Sequence, residues 1–312
     1  MTPPTSLRMG ARGSLLSRMQ SQLVADALEK RHPGLRVELV IYKTTGDQIQ
    51  DRPLHEAGGK GLFTKELEQG LLDGAIDFAV HSFKDVPITE PLVAQENLQV
   101  AAVPPREDPR DVLVSGKARS IDDLPQGAKV GTGSLRRRVQ LLARRADLDV
   151  QLIRGNIDTR LRKLRNGDFD AILLAMAGLR RSGLFDEHDM SLIDADDLLP
   201  AAGQGALALQ CRRDDPATAA VLAAMHDKTT ARCVALERDV VAALNGDCHS
   251  PIAAYATIEG DTLRLRVAVG ARDGNPPLLR SGGEAPVAEA ADVVLGVVNH
   301  LKEQGVERLL LG

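Results

Sequence analysis

The chain has 312 residues, 43% of them hydrophobic and 26% charged, and a formal net charge of −4 at pH 7. These proportions are typical of a soluble globular protein and exclude wholesale disorder, collagen-like repeats and coiled coils. Aromatic residues make up only 2% and Trp is absent, which argues against a stacking platform for single-stranded nucleic acid. No apolar run reaches the roughly 18 residues of a membrane helix, and residues 1–6 do not resemble a secretory signal.

The first two thirds of the chain alternate short apolar runs with helical periodicity. The pattern predicts helices over 14–30, about 62–72, 134–145 and from residue 157, and strands over 35–42, 76–81, 129–131, 150–153 and 171–175. The Pro-rich residues 104–109 are typical of a crossing between domains. Such alternation predicts α/β domains with a largely parallel sheet.

The last third of the chain has a different pattern of apolar and polar residues. A Gly/Pro-rich segment, 198–205, leads into a predicted strand over 206–211, and a helix is predicted over about 229–244. Two alternating runs, 252–258 and 262–269, predict an antiparallel pair of strands, and a helix over roughly 287–302 follows. We therefore expect a smaller α+β domain at this end.

Basic residues are concentrated in one window of this acidic protein. Residues 134–165 contain ten basic and three acidic side chains, a net charge of +7, so the rest of the chain carries −11. Because a guanidinium binds carboxylate or phosphate through two parallel hydrogen bonds, the window predicts a site for a small polyanion. A solvated helix face is the better interpretation of any single arginine there. It suits Arg136, Arg137 and Arg154 less well, because they follow predicted strand ends, where open α/β sheets bind ligands.

Two further segments contain candidate reactive groups. Asp85 follows Lys84 at the end of a predicted strand, where its carboxylate would act in acid–base catalysis or form a surface ion pair, the interpretation that chemistry alone slightly favours. Cys248 lies in a tight loop, 246–251, and is a candidate nucleophile or attachment point. Cys211 and Cys233 lie within predicted elements and are expected in the core. The odd cysteine count predicts reduced thiols and a cytoplasmic protein, and no CxxC or HExxH pattern supports a metal site.

Six motifs in fixed order resemble the porphobilinogen deaminases. They are GGKGLFTKEL at 58–67, HSFKDVP at 81–87, GTGSLRRR at 131–138, RGNIDTRLRKL at 154–164, LPAAGQGALALQCR at 199–212 and GDCHSP at 246–251. Together they extend over nearly the whole chain. The series departs from the family at Asp247, where a second glycine usually precedes the cysteine.

The resemblance implies a transferase of tetrapyrrole and haem biosynthesis with hydroxymethylbilane synthase activity. Such an enzyme deaminates four porphobilinogen molecules, joins them head to tail, and releases the linear product with water. The family carries a dipyrromethane primer, which the resemblance places on Cys248 through a thioether. It also implies a monomer without a nucleic-acid or membrane partner.

The matching positions imply a role for each candidate residue. Asp85 corresponds to the catalytic aspartate. The implied cofactor-binding residues are Cys248, Lys84, Thr132, Ser134, Arg136 and Arg137. The implied substrate-binding residues are Arg12, Ser14, Phe63, Arg154 and Arg160. Since porphobilinogen carries an acetate and a propionate, an arginine-rich site suits a growing chain of carboxylates.

The family fold implies two α/β domains like those of periplasmic binding proteins, with the active cleft between them, and a third small α+β domain. The expected limits are 1–103 plus 201–218, then 104–200, then 219–312. A periplasmic-type binding protein or sensor for an acidic ligand is the alternative function. A thiol hydrolase using Cys248 and His249 ranks lower, because adjacent residues rarely place sulfur and imidazole for proton transfer, and RNA binding ranks lowest.

Overall fold

A computed structural model describes residues 4–48, 61–88, 95–247 and 249–311. The chain divides into two compact units. The first comprises Met1–Glu107 and Gly205–Ala231, and the second comprises Asp108–Gln204 and Arg232–Gly312. Within the described ranges, no helix combines the length and apolar character needed to cross a membrane.

The described residues form thirteen strands and ten α-helices. The strands are β1 (Ser6–Arg12), β2 (Arg36–Tyr42), β3 (Phe78–Ser82), β4 (Leu98–Ala102), β5 (Asp111–Val114), β6 (Lys129–Gly131), β7 (Asp149–Gln151), β8 (Ala171–Ala175), β9 (Met190–Leu192), β10 (Leu207–Arg212), β11 (Ile252–Glu259), β12 (Thr262–Gly270) and β13 (Leu278–Pro286). The helices are α1 (Leu15–Arg31), α2 (Thr45–Gln48), α3 (Lys65–Leu72), α4 (Leu135–Arg144), α5 (Ile157–Arg165), α6 (Met176–Arg181), α7 (Pro216–Ala223), α8 (Lys228–Ala243), α9 (Ala290–Glu303) and α10 (Val306–Leu311).

The first unit is built on a five-stranded sheet in the order β2-β1-β3-β10-β4. Strand β1 is parallel to β2 and β3, whereas β10 is antiparallel to both β3 and β4. Met9, Leu28 and Phe78 are fully buried in the core beside this sheet. Helix α1 starts where Ser14 Oγ accepts a hydrogen bond from Ser17 N at 3.3 Å, an N-cap that satisfies one of the unpaired donors of the first turn.

The second unit contains a five-stranded sheet in the order β7-β6-β8-β5-β9. Strand β6 is parallel to β7 and β8, but β5 is antiparallel to β8 and β9. The prediction of a largely parallel sheet is therefore confirmed for both large sheets: four of the five strands in each point the same way, and one strand, β10 or β5, runs in the opposite direction.

The second unit also contains a small antiparallel sheet, β11-β12-β13. The predicted pairing of the first two strands is confirmed, and its register places Ile252 opposite Val269. Helix α9 packs against β12 and β13. This sheet and its helices form a further small domain, which confirms the expected mixed α/β class with a small α+β addition. The proposed limits of three domains stay a prediction.

Candidate active site

The HSFKDVP motif lies where β3 leaves its sheet. A single 3₁₀ turn, Phe83–Asp85, follows the strand directly, and Phe83 N donates to Ala206 O at 3.0 Å. His81 and Phe83 are buried, while Lys84 and Asp85 are half-buried. The short turn at the end of β3 therefore positions the half-buried Asp85 carboxylate directly after a strand of the sheet.

Arg12 is the last residue of β1, and Ser14 is the N-cap residue of α1. Phe63 lies two residues before the start of α3. The Arg12 guanidinium stacks over the Phe63 ring at 4.0 Å from its centroid, a cation–π contact. The backbone N–H of Arg12 donates to Ser17 Oγ at 3.1 Å. Ser14 Oγ accepts one hydrogen bond in the helix cap and can still donate its hydroxyl proton to a ligand. The structure thus brings Arg12 and Phe63 together.

Thr132 and Ser134 join β6 to α4. Thr132 is buried, its Oγ1 accepts from Ser134 N at 3.2 Å, and its own N–H donates to Gln151 O at 2.9 Å. Ser134 is the N-cap residue of α4, yet its side chain makes no capping hydrogen bond. The hydroxyl of Ser134 therefore remains at the positive end of the helix dipole, where anions bind favourably.

Arg136 and Arg137, in the first turn of α4, are buried against Asp111. Arg136 Nη2 lies 2.8 Å from Asp111 Oδ2, and Arg137 Nη2 lies 2.7 Å from Asp111 Oδ1. Arg136 also donates to Leu199 O, and Arg137 donates to Leu173 O at 3.0 Å. Burial alone would raise the pKa of Asp111, but attraction to the two guanidinium groups outweighs it and holds that pKa well below its usual range.

Arg154 and Arg160 add two further positive charges in the same unit. Burial lowers the pKa of Arg154. Burial, and then repulsion from Arg137 and Arg154, lowers the pKa of Arg160 to about 10. Arg160 Nε donates to Gly155 O at 2.8 Å. Gly155 has φ +110°, and an added Cβ would lie 2.6 Å from Thr159 Cγ2, so the turn requires glycine.

We call Arg136, Arg137, Arg154 and Arg160 the arginine cluster. Together with Asp111 these groups carry a net charge of +3. Sequence reasoning missed both Asp111 and Gln204, whose Nε2 donates to Asp111 Oδ1 at 2.7 Å and to Pro109 O. The available signal was an acidic residue that opens the apolar run DVLV of β5. A charge at the start of a buried strand needs a partner inside the protein.

The predicted attachment residue, Cys248, lies outside the described residues. On either side of it, Asp247 Oδ1 accepts from His249 N at 2.9 Å and from Ser250 Oγ at 3.0 Å. Ser250 Oγ in turn accepts from Asp247 N at 2.9 Å. The aspartate that departs from the family pattern therefore closes the turn with its own carboxylate.

Comparison with solved structures returns periplasmic binding proteins. The methionine-binding protein MetQ aligns with a TM-score of 0.44 at 15% identity, over 75% of this chain and 95% of its own. The aliphatic sulphonate-binding protein SsuA from Escherichia coli aligns with a TM-score of 0.38 at 19% identity, over 99% of this chain and 89% of its own.

Comparison of sequences is more specific. Residues 7–220 match the family model described as porphobilinogen deaminase, dipyromethane cofactor binding domain, and residues 231–303 match its C-terminal domain. A protein of Syntrophotalea carbinolica named porphobilinogen deaminase is 47% identical over 306 residues, which span 98% of this chain and 95% of that protein. The chain belongs to the porphobilinogen deaminase family.

Proposed function

We propose that this chain is a hydroxymethylbilane synthase, a transferase of tetrapyrrole biosynthesis. It deaminates four porphobilinogen molecules and joins them head to tail. The observation that carries the proposal is the arginine cluster, in which Arg136 and Arg137 share the carboxylate of Asp111 and Arg160 is repelled by Arg137 and Arg154. Porphobilinogen brings an acetate and a propionate, so each added unit supplies two of the negative charges that the cluster lacks.

The family's dipyrromethane cofactor fits the same residues. It consists of two substrate units and therefore has four carboxylates. The Nε atoms of Arg136 and Arg137 are buried and have no hydrogen-bond partner among the described residues, so both retain a donor suited to an anion. We propose that Lys84, Thr132, Ser134, Arg136 and Arg137 hold this group and that Cys248 attaches it. When bound, it supplies the pyrrole α-carbon to which the first substrate unit is joined.

Asp85 is the proposed catalytic residue. Deamination breaks the bond between the aminomethyl carbon and its nitrogen, and the nitrogen leaves with the electron pair as ammonia. The remaining pyrrole is an azafulvene-like cation. The Asp85 carboxylate stabilises that cation by accepting hydrogen bonds from pyrrole N–H groups, and it accepts or returns the protons of the step. Water takes the place of the next pyrrole when the product is released.

The remaining predicted residues are proposed to bind substrate. Arg12, Ser14, Arg154 and Arg160 bind the acetate and propionate groups, and the Phe63 ring packs against a pyrrole. We also propose that the protein works as a monomer in the cytoplasm. Two of its cysteines, Cys211 and Cys233, are buried thiols, which supports a reducing compartment.

Intact mass tests the covalent primer. We expect the purified protein to exceed its sequence mass by two linked pyrrole units, and a Cys248→Ala variant to match its own sequence mass. Cys233→Ala is the matched control, because Cys233 is a buried cysteine elsewhere in the chain and its loss should leave the mass increment in place. If the unmodified protein shows no adduct even after incubation with porphobilinogen, the function is better described as ligand binding without chemistry.

Turnover tests Asp85. An Asp85→Asn variant keeps the side-chain shape but loses the negative charge, so we expect turnover to fall about 10²- to 10⁴-fold with the fold intact. Asp73→Asn, at the exposed end of α3, is the control and should retain normal turnover. Wild-type rates in Asp85→Asn would show that Asp85 is not the catalytic residue.

A further inference from the structure

Three polar side chains form a chain of hydrogen bonds in the core of the first unit. His81 on β3, Gln210 on β10 and Glu68 on α3 are 5%, 7% and 1% exposed. His81 Nε2 lies 2.9 Å from Gln210 Oε1, and Gln210 Nε2 lies 3.1 Å from Glu68 Oε1. His81 pairs with Ala208 in the ladder, so Gln210 is its diagonal neighbour on the same face of the sheet. Buried polar groups of this kind fix one arrangement when their hydrogen bonds are made.

The direction of these hydrogen bonds determines the tautomer of His81. The Gln210 amide donates its N–H to Glu68, so its oxygen faces the imidazole. An amide oxygen only accepts, and therefore His81 Nε2 must carry the proton that it donates. Burial lowers the pKa of His81 to about 4, so at neutral pH the ring is uncharged and Nδ1 has no proton.

The charges around His81 explain why a neutral ring matters. Burial lowers the pKa of His81 most, the hydrogen bond to Gln210 raises it, and Arg12, at the end of β1, lies near enough to lower it further. From α3, Glu68 faces it only through Gln210, and burial raises the pKa of Glu68. Lys84 and Asp85 follow on its own segment. An imidazolium here would add a second positive charge near Arg12, on the segment that continues to Lys84 and Asp85.

The three residues from His81 to Phe83, which precede Lys84 and Asp85, each make a hydrogen bond to another part of the first unit. After the hydrogen bond of His81 to β10, Ser82 Oγ donates to Gln20 Oε1 of α1 at 3.3 Å, and Phe83 N donates to Ala206 O. Two of these hydrogen bonds lead to β10 and the residue before it and the third leads to α1, immediately before Lys84 and Asp85. We infer that Gln210 is a positioning residue that, through a neutral Nε2-protonated His81, sets the placement of Asp85; this rests on the proposed catalytic role of Asp85.

Nitrogen NMR of the histidine rings tests the first half of the inference on the unmodified holoprotein. Two-bond ¹⁵N–¹H spectra distinguish the imidazolium and the two neutral tautomers, and a His81→Gln variant identifies the His81 signals. We expect His81 to be neutral with its proton on Nε2 from about pH 5.5 to about pH 8.5, although an ordinary histidine titrates near pH 6.5. An imidazolium or an Nδ1-protonated ring at neutral pH would overturn the inference whatever the activity shows.

Variants test the second half. Gln210→Met keeps the side-chain length without its hydrogen bonds, and we expect kcat to fall at least about tenfold while KM changes less than about twofold. Gln99→Met is the matched control: Gln99 lies on the adjacent strand β4 and its Nε2 donates to Arg212 O at 3.4 Å. That variant should keep normal kcat. Intact mass of each variant confirms that the primer is present.

A double variant separates positioning from general damage. If Gln210 acts through His81, His81→Leu combined with Gln210→Met should lose no more kcat than the more impaired single variant. Losses that multiply, or a normal kcat in Gln210→Met, would contradict the inference. When Asp85→Asn is inactive and Gln210→Met is normal, only this inference fails; when Asp85→Asn is fully active, the catalytic role of Asp85 fails and the NMR result still stands.

Discussion

Asp111 opens a buried strand and nevertheless keeps its negative charge, because two guanidinium groups and the Gln204 amide surround its carboxylate. The arginines and their place near strand ends were predictable from the sequence. Their internal counter-ion was not, because Asp111 precedes Arg136 by 25 positions and no local pattern connects the two. Contacts of that kind depend on how β5 pairs with β8, which is a property of the folded sheet.

We expect Asp111→Asn to destabilise the second unit strongly. Removing one partner of a buried ion pair leaves uncompensated charge and typically costs about 3–5 kcal/mol. Since the folded pKa of Asp111 is lowered, its contribution is complete above its unfolded value of about 4 and declines as the pH falls below that. The difference in unfolding free energy between wild type and variant should therefore shrink in acid, as measured by urea denaturation across pH.

Asp122→Asn provides the control for Asp111. Asp122 also pairs with an arginine of α4, Arg144, at 2.6 Å, but its side chain is 58% exposed. Exposed ion pairs contribute little because water and salt screen them. The stability loss should therefore be clearly smaller than in Asp111→Asn. Equal losses in the two variants would contradict the view that Asp111 is the internal counter-ion of the cluster.

Elements with a strong local pattern were predicted well from the sequence. Strand β8 has the predicted limits, and α1 and β2 begin or end within one residue of the prediction. The missed elements include β1, in which Arg8 and Arg12 interrupt the apolar pattern, and β13, which contains two glycines and a proline. In both, pairing with a neighbouring strand and not local periodicity establishes the strand. The single reversed strand of each large sheet, β10 or β5, was missed for the same reason.

Strand β12 packs closely against helix α4. A Cβ on Gly270 would lie 2.4–2.7 Å from the side-chain carbons of Val139. In Gly270→Ala the helix that carries Arg136 and Arg137 must therefore shift, and overpacking of this kind typically costs about 1–3 kcal/mol. We expect lower thermal stability together with a raised KM for porphobilinogen, measured by calorimetry and steady-state kinetics.

Gly296→Ala is the matched control for Gly270→Ala. Gly296 lies inside α9, and nothing lies within 4 Å of the position that its Cβ would occupy. The same substitution should therefore stabilise the protein, by up to about 1 kcal/mol, because alanine has the higher helix propensity. Kinetics should stay normal. A raised KM in Gly296→Ala, or a normal one in Gly270→Ala, would show that packing of α4 does not govern substrate binding.

The distribution of charge along the chain is more informative than its sum. A net charge of −4 gives no general attraction for anions. The arginine cluster and Asp111 nevertheless carry a net charge of +3 within this acidic protein. Burial lowers the pKa of both Arg154 and Arg160. Holding partly desolvated positive charge therefore lowers the stability of the folded protein, and a bound polycarboxylate should raise it again.

We therefore expect the primer-free Cys248→Ala protein to melt at a lower temperature than the primer-bearing wild type. Citrate should raise the melting temperature of the variant by several degrees more than sodium chloride does at equal ionic strength, since about 1 kcal/mol of binding energy shifts it by about 2–4 °C in a chain of this size. If the primer's carboxylates occupy the arginines as proposed, wild type should respond less to citrate. Scanning calorimetry measures all four shifts, and equal responses to citrate in the two proteins would show that the primer's carboxylates do not occupy the arginine cluster.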